Sequence, residues 1–329
     1  MFYRKSVSEP IRYGYAVGRV RVLEGRMLSG GTYERLLDAP TFTEQKRVLS
    51  DSPYGRFLED AETVEGIERG LDRALDELYG FLVTANLPQP VIRFFRVRYD
   101  YANLEARLKA ELLAVPLDDM LVGLGTVPAD VIRGPAAQLP AFLRSVYTTL
   151  SGDDRSVTEE EITSAVDRAL FEDLRASAGS SKSRFLTGLA ALMVDLANIK
   201  ALLRARSKSW RAPDARQLLL EGGTVPSVEL MKVYPAAVTE IAEALSKRGP
   251  LKGVPTERIA DIGSYDVLAD DLIVRYLKRA RMVAAGPEPV IGYVMARQAE
   301  VMMLRTLLIG RLSGVSTEVL RRRLRERYE

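Results

Sequence analysis

The sequence predicts an all-α protein composed of three similar helical domains arranged about an axis. Nearly every periodic segment spaces its apolar residues three and four positions apart, as amphipathic helices do, rather than alternately. Related helical segments also recur along the chain of 329 residues, which is the signature of a repeat architecture. With 47% hydrophobic and 28% charged residues, the chain has a globular composition and can bury a core.

The N-terminal segment, residues 1–60, is predicted to be a helical half-unit. Its sequence LEGRMLSGGTYERLL at 23–37 echoes LIGRLSGVSTEVLR at 308–321, near the other end of the chain. We therefore expect the half-unit to complete the third domain and to close the body. The first residues lack the continuous apolar stretch of a secretory signal, which favours a cytoplasmic location.

The first two repeat domains, 61–155 and 156–255, are defined by segments that match at one offset. These segments pair 95 residues apart: 70–83 with 165–178, and 100–111 with 195–206. Two matches that arose by chance in different helices would rarely share the same offset. Each copy then continues into GTVP, where Pro can begin a helix because its missing N–H needs no partner in the first turn.

The third repeat domain, 256–329, is a more divergent copy, with related segments at 273–280 and 300–310. A copy of this size exceeds the roughly 30–47 residues of common solenoid units. Each copy is therefore large enough to be a small domain with its own core. Three such copies favour pseudo-threefold symmetry, and an open α-solenoid is the alternative.

Helix signals are clearest in the second copy. Ser156 or Thr158 can cap its first helix, three Glu residues follow in the first turn, and Gly179 is expected to end it. The next helix, roughly 184–206, is predicted from an apolar stripe formed by Leu189, Leu192, Leu196, Ile199 and Leu203.

Two polar positions recur beside the apolar stripe of the second long helix in each copy. They are Asp100 and Asn103, Asp195 and Asn198, and Glu300 with Met303 in place of the amide. A carboxylate three residues before an amide can tie a helix to a neighbouring helix end or to an Arg. We expect this structural role. A polar pair that faces a partner protein is the alternative.

The composition and motifs exclude several classes of function. The chain has no Cys and no His, so it lacks thiolate nucleophiles, the usual zinc ligands and the commonest proton-transfer group. Its 47 basic and 44 acidic residues argue against a nucleic-acid partner. No GxxxxGK[ST], HExxH, GxSxG or EF-hand pattern is present. We therefore expect no catalytic site, cofactor, metal or small-molecule substrate.

The segment at 290–312 has about the length of a membrane span. Charged and polar residues interrupt it, however, at Arg297, Gln298, Glu300 and Arg305. It is therefore predicted to be a buried helix, and the chain to contain no transmembrane segment.

Several cations near predicted helix ends are candidates for contacts with a partner: Arg204, Arg206, Lys208, Arg321, Arg322, Arg323 and Arg325. Cations at the C-terminal end of a helix also stabilise its dipole, so a solvated last turn is the simpler interpretation of the C-terminal run. Contact with an acidic protein surface or with anionic lipid headgroups is the alternative.

Five segments in one order carry a resemblance to a known family. They are YGYAVGRVRVLEGRML at 13–28, RYDYANLEARLKAELL at 98–113, MVDLANIKALLRARS at 193–207, LLLEGGTVP at 218–226 and GYVMARQAEVMMLRTLLIGRLSGVS at 292–316. The chain resembles the C subunit of archaeal and bacterial A/V-type ATPases, which is similar to the d subunit of the eukaryotic vacuolar enzyme. Where the family typically has Asn before Leu-Arg in the third copy, this chain has Met303. The polar tie is therefore uncertain there.

The resemblance implies a funnel of three helical domains on the cytoplasmic face of the membrane rotor ring, which is built of proteolipid subunits. Its concave side would receive the central shaft, formed by the D and F subunits, and the protein would transmit torque between ATP hydrolysis or synthesis and ion translocation. It implies a peripheral, structural component without catalysis of its own. A general α-helical scaffold for other soluble proteins is the alternative.

Overall fold

A computed structural model describes residues 9–117, 120–151 and 157–328 of the chain. These ranges form helices and loops and contain no β-strand, which confirms the all-α prediction. The helices belong to two compact units, one built from both ends of the chain and the other from residues 88–236. The boundary after Leu87 falls inside the predicted first repeat domain, and the division into a half-unit and three domains stays a prediction.

Unit 1 contains ten α-helices in the described residues. They are α1 (Glu9–Glu24), α2 (Gly30–Asp38), α3 (Phe42–Leu49), α4 (Gly55–Leu58), α5 (Val64–Thr84), α13 (Val238–Leu245), α14 (Thr256–Ala260), α15 (Ile262–Lys278), α16 (Glu288–Leu312) and α17 (Thr317–Arg322). Helix α16 is central, because α1, α3, α5, α15 and α17 all pack on it. Helices from the two ends of the chain thus share one core.

Unit 2 contains seven α-helices in the described residues. They are α6 (Gln89–Leu113), α7 (Ala129–Arg133), α8 (Ala141–Ser151), α9 (Glu159–Ser180), α10 (Arg184–Ser207), α11 (Ala212–Gln217) and α12 (Ser227–Val233). Helix α9 packs along α6 and also contacts α10. The short helices α7 and α12 lie against α6 and α10, respectively.

Hydroxyl caps explain where the helices of the second copy begin. The Thr158 hydroxyl accepts a hydrogen bond from Glu161 N–H at 3.2 Å, and the Glu161 carboxylate accepts one from Thr158 N–H at 3.0 Å, which forms a capping box. This confirms Thr158 as the cap, whereas Ser156 lies outside the described residues. Gly179 does not end the helix. It continues to Ser180, because Ser181 N–H still bonds to a carbonyl of the last turn.

The predicted second helix of this copy, roughly 184–206, is confirmed as α10. It is the one described helix that is long and apolar enough to cross a membrane by length and composition alone. In its most apolar window 56% is buried within the protein. The segment 290–312 lies in α16, where Arg297, Gln298 and Glu300 are buried, which confirms the predicted buried helix.

Candidate functional site

Asp100 on α6 holds the loop that precedes α7. Its buried carboxylate accepts hydrogen bonds from the N–H groups of Thr126 at 2.7 Å and Val127 at 2.8 Å, and from the Thr126 hydroxyl at 2.6 Å. Burial raises the pKa of Asp100, and these three donors oppose that rise. A Cβ atom at Gly125 would collide with the Asp100 carboxylate. The GTVP sequence therefore combines a close approach at Gly with donors at Thr and Val.

Asp195 on α10 makes the same contact in the second copy. Its carboxylate accepts hydrogen bonds from Val225 N–H at 2.9 Å and from the Thr224 hydroxyl. A Cβ atom at Gly223 would collide with this carboxylate too. The two motifs that recur separately in the sequence, the Asp on the long helix and GTVP downstream, are thus the two halves of one contact.

Asn103 and Asn198 bind the same two loops. Each contacts the loop residue that lies five positions before the Val bound by the Asp. The Asn103 amide donates to Val122 C=O at 2.9 Å and accepts from Val122 N–H at 2.8 Å. The Asn198 amide does the same with Leu220, at 2.8 and 2.7 Å. Each side chain therefore pairs with the loop backbone as a neighbouring strand would, and satisfies one donor and one acceptor.

Glu300 on α16 makes the corresponding contact with the start of the chain. Its buried carboxylate accepts hydrogen bonds from Leu28 N–H, the Tyr54 hydroxyl and the Arg297 guanidinium, each at 2.6 Å. Burial is the main influence on this carboxyl and raises its pKa, against the effect of Arg297. In all three copies the bonded N–H belongs to the residue directly before a helix cap: Pro128, Pro226 or Ser29. We call each such contact a carboxylate clasp.

The third clasp lacks an amide, and the local backbone explains why. The residue five positions before Leu28 is Leu23, which lies inside α1, and its C=O accepts a hydrogen bond from Arg26 N–H at 3.0 Å. Its backbone groups are used within helical structure, so no side-chain amide is needed. Buried Met303 fills the position with an apolar side chain instead.

An arginine further along each long helix binds backbone at or just beyond the far end of the short helix. Each guanidinium donates to backbone carbonyl oxygen: Arg107 to Ile132 at 2.8 Å, Arg206 to Ala236 at 2.8 Å, and Arg311 to Leu37 at 2.7 Å. For α7 and α2, a carboxylate thus lies at the N–H end and a guanidinium at the C=O end, which is the arrangement that a helix dipole favours. Arg206 instead binds the turn that follows α12, because Ala236 lies three residues beyond Val233.

The cations predicted to contact a partner lie in different surroundings. Most have partners within the chain: Arg206 binds Ala236, Lys208 pairs with Glu160 at 3.1 Å, Arg321 with Glu34 at 2.6 Å, Arg322 with Glu318, and Arg325 with Asp270 at 2.6 Å. Arg204 and Arg323 are exposed and form no ion pair with any residue that the structure describes. These two side chains have the most freedom to bind another molecule.

Unit 1 also contains a groove that the sequence did not reveal. It has a volume of about 1320 Å³, and its lining includes six arginines but three carboxylates. Five of the arginines are exposed, and four of these form no ion pair with any described residue: Arg19, Arg26, Arg35 and Arg47. They come from α1, the turn after it, α2 and α3, so only the packing of these elements brings them together. Within the described ranges, no group of three or more carboxylates is arranged to hold a metal ion.

Comparison with known proteins gives consistent matches over nearly the whole chain. The family model described as ATP synthase (C/AC39) subunit matches residues 16–323. The C subunit of the A-type ATP synthase of Thermococcus onnurineus is 26% identical over 90% of this chain and 85% of its own length. The C subunit of the V-type sodium ATPase of Enterococcus hirae is 24% identical over 94% and 97%. The C subunit of the V-type ATP synthase of Thermus thermophilus is 26% identical over 90% and 93%.

Proposed function

The chain belongs to the ATP synthase (C/AC39) subunit family, and from this we propose that it is the non-catalytic central-stalk subunit of a rotary A/V-type ATPase. In this role it is a socket between the D–F shaft and the membrane rotor ring, peripheral to the membrane on its cytoplasmic face. It transmits the torque that links ATP hydrolysis or synthesis to ion translocation. Its three repeats form a funnel with pseudo-threefold symmetry.

The observation that supports this role most directly is the repeated carboxylate clasp. A part that transmits torque must keep its short elements fixed when it is twisted, and a helix of one or two turns is marginally stable by itself. Here α7 and α2 are bound at both ends by side chains of a long helix, and α12 is bound just before its cap and in the turn that follows it. Buried, hydrogen-bonded side chains of this kind resist displacement because an unpaired buried group is costly.

Charged residues spread over the surface suit the second requirement of the role. A socket with pseudo-threefold symmetry cannot form the same contact with every subunit of a ring that has a different symmetry. Separate charged contacts tolerate such a mismatch, and they give orientation and association rate more than affinity. The chain has 47 basic and 44 acidic residues for such contacts.

Reconstitution tests the proposal. The purified chain should bind both the detergent-solubilised proteolipid ring and the D–F subcomplex. In a pull-down, the ring should be recovered with the D–F subcomplex only when the chain is present. Images of the isolated chain should show three lobes. A chain that remains soluble and binds neither assembly would remove the motor assignment and leave the general scaffold.

Arg204 and Arg323 are the first contact residues to test. Reversing each charge, as Arg204→Glu or Arg323→Glu, should weaken binding of the D–F subcomplex about three- to tenfold, as for other surface charge contacts. Lys252→Glu changes an exposed cation outside the predicted set and is the matched control. Equal affinity in the variants and the control would exclude both arginines from the interface.

A further inference from the structure

Four arginines in the groove of unit 1 have no acidic partner among the residues that the structure describes. Arg19, Arg26, Arg35 and Arg47 are exposed, line the groove, and form no ion pair with any residue in the described ranges. Arg19 is placed by aromatic contact, with its guanidinium 4.9 Å from the centre of the Phe81 ring. A guanidinium without a carboxylate keeps most of its planar set of donors free for a ligand, although Arg35 donates one hydrogen bond to the Thr32 hydroxyl at 3.4 Å.

Some cations on helix surfaces elsewhere in the same unit are paired. Arg305 binds both Glu68 and Asp72, while Arg275 and Lys278 share Glu326. Exposed cations without an ion pair also occur elsewhere in the described residues of unit 1, such as Arg69, Arg73 and Lys252. The groove differs because four such cations line one concave surface, where six arginines face three carboxylates and one of these, Glu77, already pairs with Arg56.

The remaining walls of the groove describe the shape and chemistry of a ligand. Apolar and aromatic side chains lie between the charges, among them Met27, Phe57, Phe81 and Tyr293. A ligand that covers both must be amphipathic. The volume of about 1320 Å³ would accommodate about three turns of an α-helix with a diameter near 10 Å.

We propose that this groove binds an acidic, amphipathic helical segment of a protein partner. The proposal rests on the proposed function only in that the partner is another subunit of the motor. A helix can place its carboxylates against the arginines and its apolar face against the aromatic wall. A flat anionic membrane cannot, because Asp51, Asp76 and Glu77 on the same walls would repel its headgroups.

A binding experiment with defined probes tests the groove. The probe is a labelled helical peptide of about 20 residues with Glu on one face and Leu on the other, and the matched peptide has Lys in place of Glu. We expect the chain to bind the Glu peptide, more weakly as salt rises, and to ignore the Lys peptide. The double variant Arg26→Glu with Arg47→Glu should weaken binding about tenfold or more.

The control is the double variant Lys252→Glu with Arg279→Glu, which makes the same change in charge at exposed cations outside the groove and outside the predicted contact set. It should bind the Glu peptide within about twofold of the wild-type chain, by the tolerance expected for distant charges. Equal affinity of the two double variants would overturn the proposal. So would binding of phosphatidylglycerol vesicles or tripolyphosphate, lost in the groove variant, without binding of the peptide.

Assembly separates failure of the groove from failure of the proposed function. If the chain bridges the ring and the D–F subcomplex but ignores the Glu peptide, the groove proposal fails and the motor role stands. If it binds the peptide through Arg26 and Arg47 but bridges neither assembly, the motor role fails and the acidic-helix groove stands.

Discussion

The carboxylate clasps of unit 2 and unit 1 differ in the length of chain that they join. Asp100 and Asp195 bind loops that follow them by 26 to 30 residues, whereas Glu300 binds Leu28, which precedes it by 272 residues. Closing a longer loop costs more conformational entropy. The clasp that brings the two ends of the chain together also has the larger set of buried partners, with Tyr54 and Arg297 added to the backbone donor.

The approach of the carboxylate differs as well. Asp100 and Asp195 reach the backbone because Gly125 and Gly223 leave room for them. The third copy has Arg26 at the corresponding position, three residues before the cap, and uses the longer side chain of Glu300. The N–H before a helix cap is therefore bound either by an Asp that approaches beside a Gly or by a Glu, whose longer side chain needs no Gly.

The largest expected effect separates the two kinds of clasp directly. Glu300→Ala leaves the buried Arg297 without its carboxylate and should lower the free energy of unfolding by about 3–5 kcal/mol. Asp195→Ala leaves the buried Val225 N–H unpaired and removes the bond to exposed Thr224, but it leaves no buried cation, and should cost about 1–3 kcal/mol. Urea unfolding followed by far-UV circular dichroism measures both. A larger loss for Asp195→Ala would reverse the comparison.

The exchange of Asn and Met between the clasps should be unfavourable in both directions. Met303→Asn places an amide in a buried position where the backbone of Leu23 is already bonded, and should cost about 2–3 kcal/mol. Asn198→Met removes both hydrogen bonds to half-buried Leu220 and should cost about 1–2 kcal/mol. The same unfolding measurement applies. A stabilised Met303→Asn protein would mean that the third clasp lacks an amide for some other reason.

The requirement for Gly should be confined to the short-acid clasps. Gly223→Ala forces a Cβ atom into the Asp195 carboxylate and should lower the free energy of unfolding by about 1–3 kcal/mol. Gly179→Ala is the matched control, because it lies in helix α9 with no atom near the added Cβ, and should be neutral or stabilising by up to about 1 kcal/mol. Equal effects of the two substitutions would exclude a close approach at Gly223.

Much of the fold and part of each clasp could be predicted from the sequence. Helical periodicity and the matching segments predicted long helices such as α10, and the repeated Asp and Asn predicted polar ties. The sequence could not identify their partners, because Thr224 and Val225 follow Asp195 by about 30 residues and the intervening chain decides whether they meet. Spacing alone also made Arg206 resemble a surface cation, although it binds Ala236 C=O.

The groove was even harder to predict from the sequence than the partners of the clasps. Arg19, Arg35 and Arg47 lie on three different helices, and no periodicity connects them. Their convergence depends on how α1, α2 and α3 pack within unit 1, which is a tertiary property. A sequence can therefore reveal a contact that is repeated, since repetition marks it, but not a surface that is assembled once from separate elements.

The smallest expected effect concerns pH and again distinguishes the third clasp. Burial raises the pKa of Glu300 above its ordinary value, so the folded protein holds this proton more tightly than the unfolded chain does. Protonation therefore favours folding as the pH falls through the folded-state pKa toward the ordinary value of 4.5.

The variant Glu300→Gln tests this effect, because Gln at this position does not titrate. The difference in unfolding free energy between the wild-type chain and Glu300→Gln should therefore move in favour of the wild type as the pH falls from neutral toward 4.5. A difference that is constant with pH, or that moves toward the Gln variant, would show that the bonds from Arg297, Tyr54 and Leu28 together outweigh the effect of burial on the pKa. The clasp that joins the two ends of the chain would then be held by an ionised carboxylate at every pH tested.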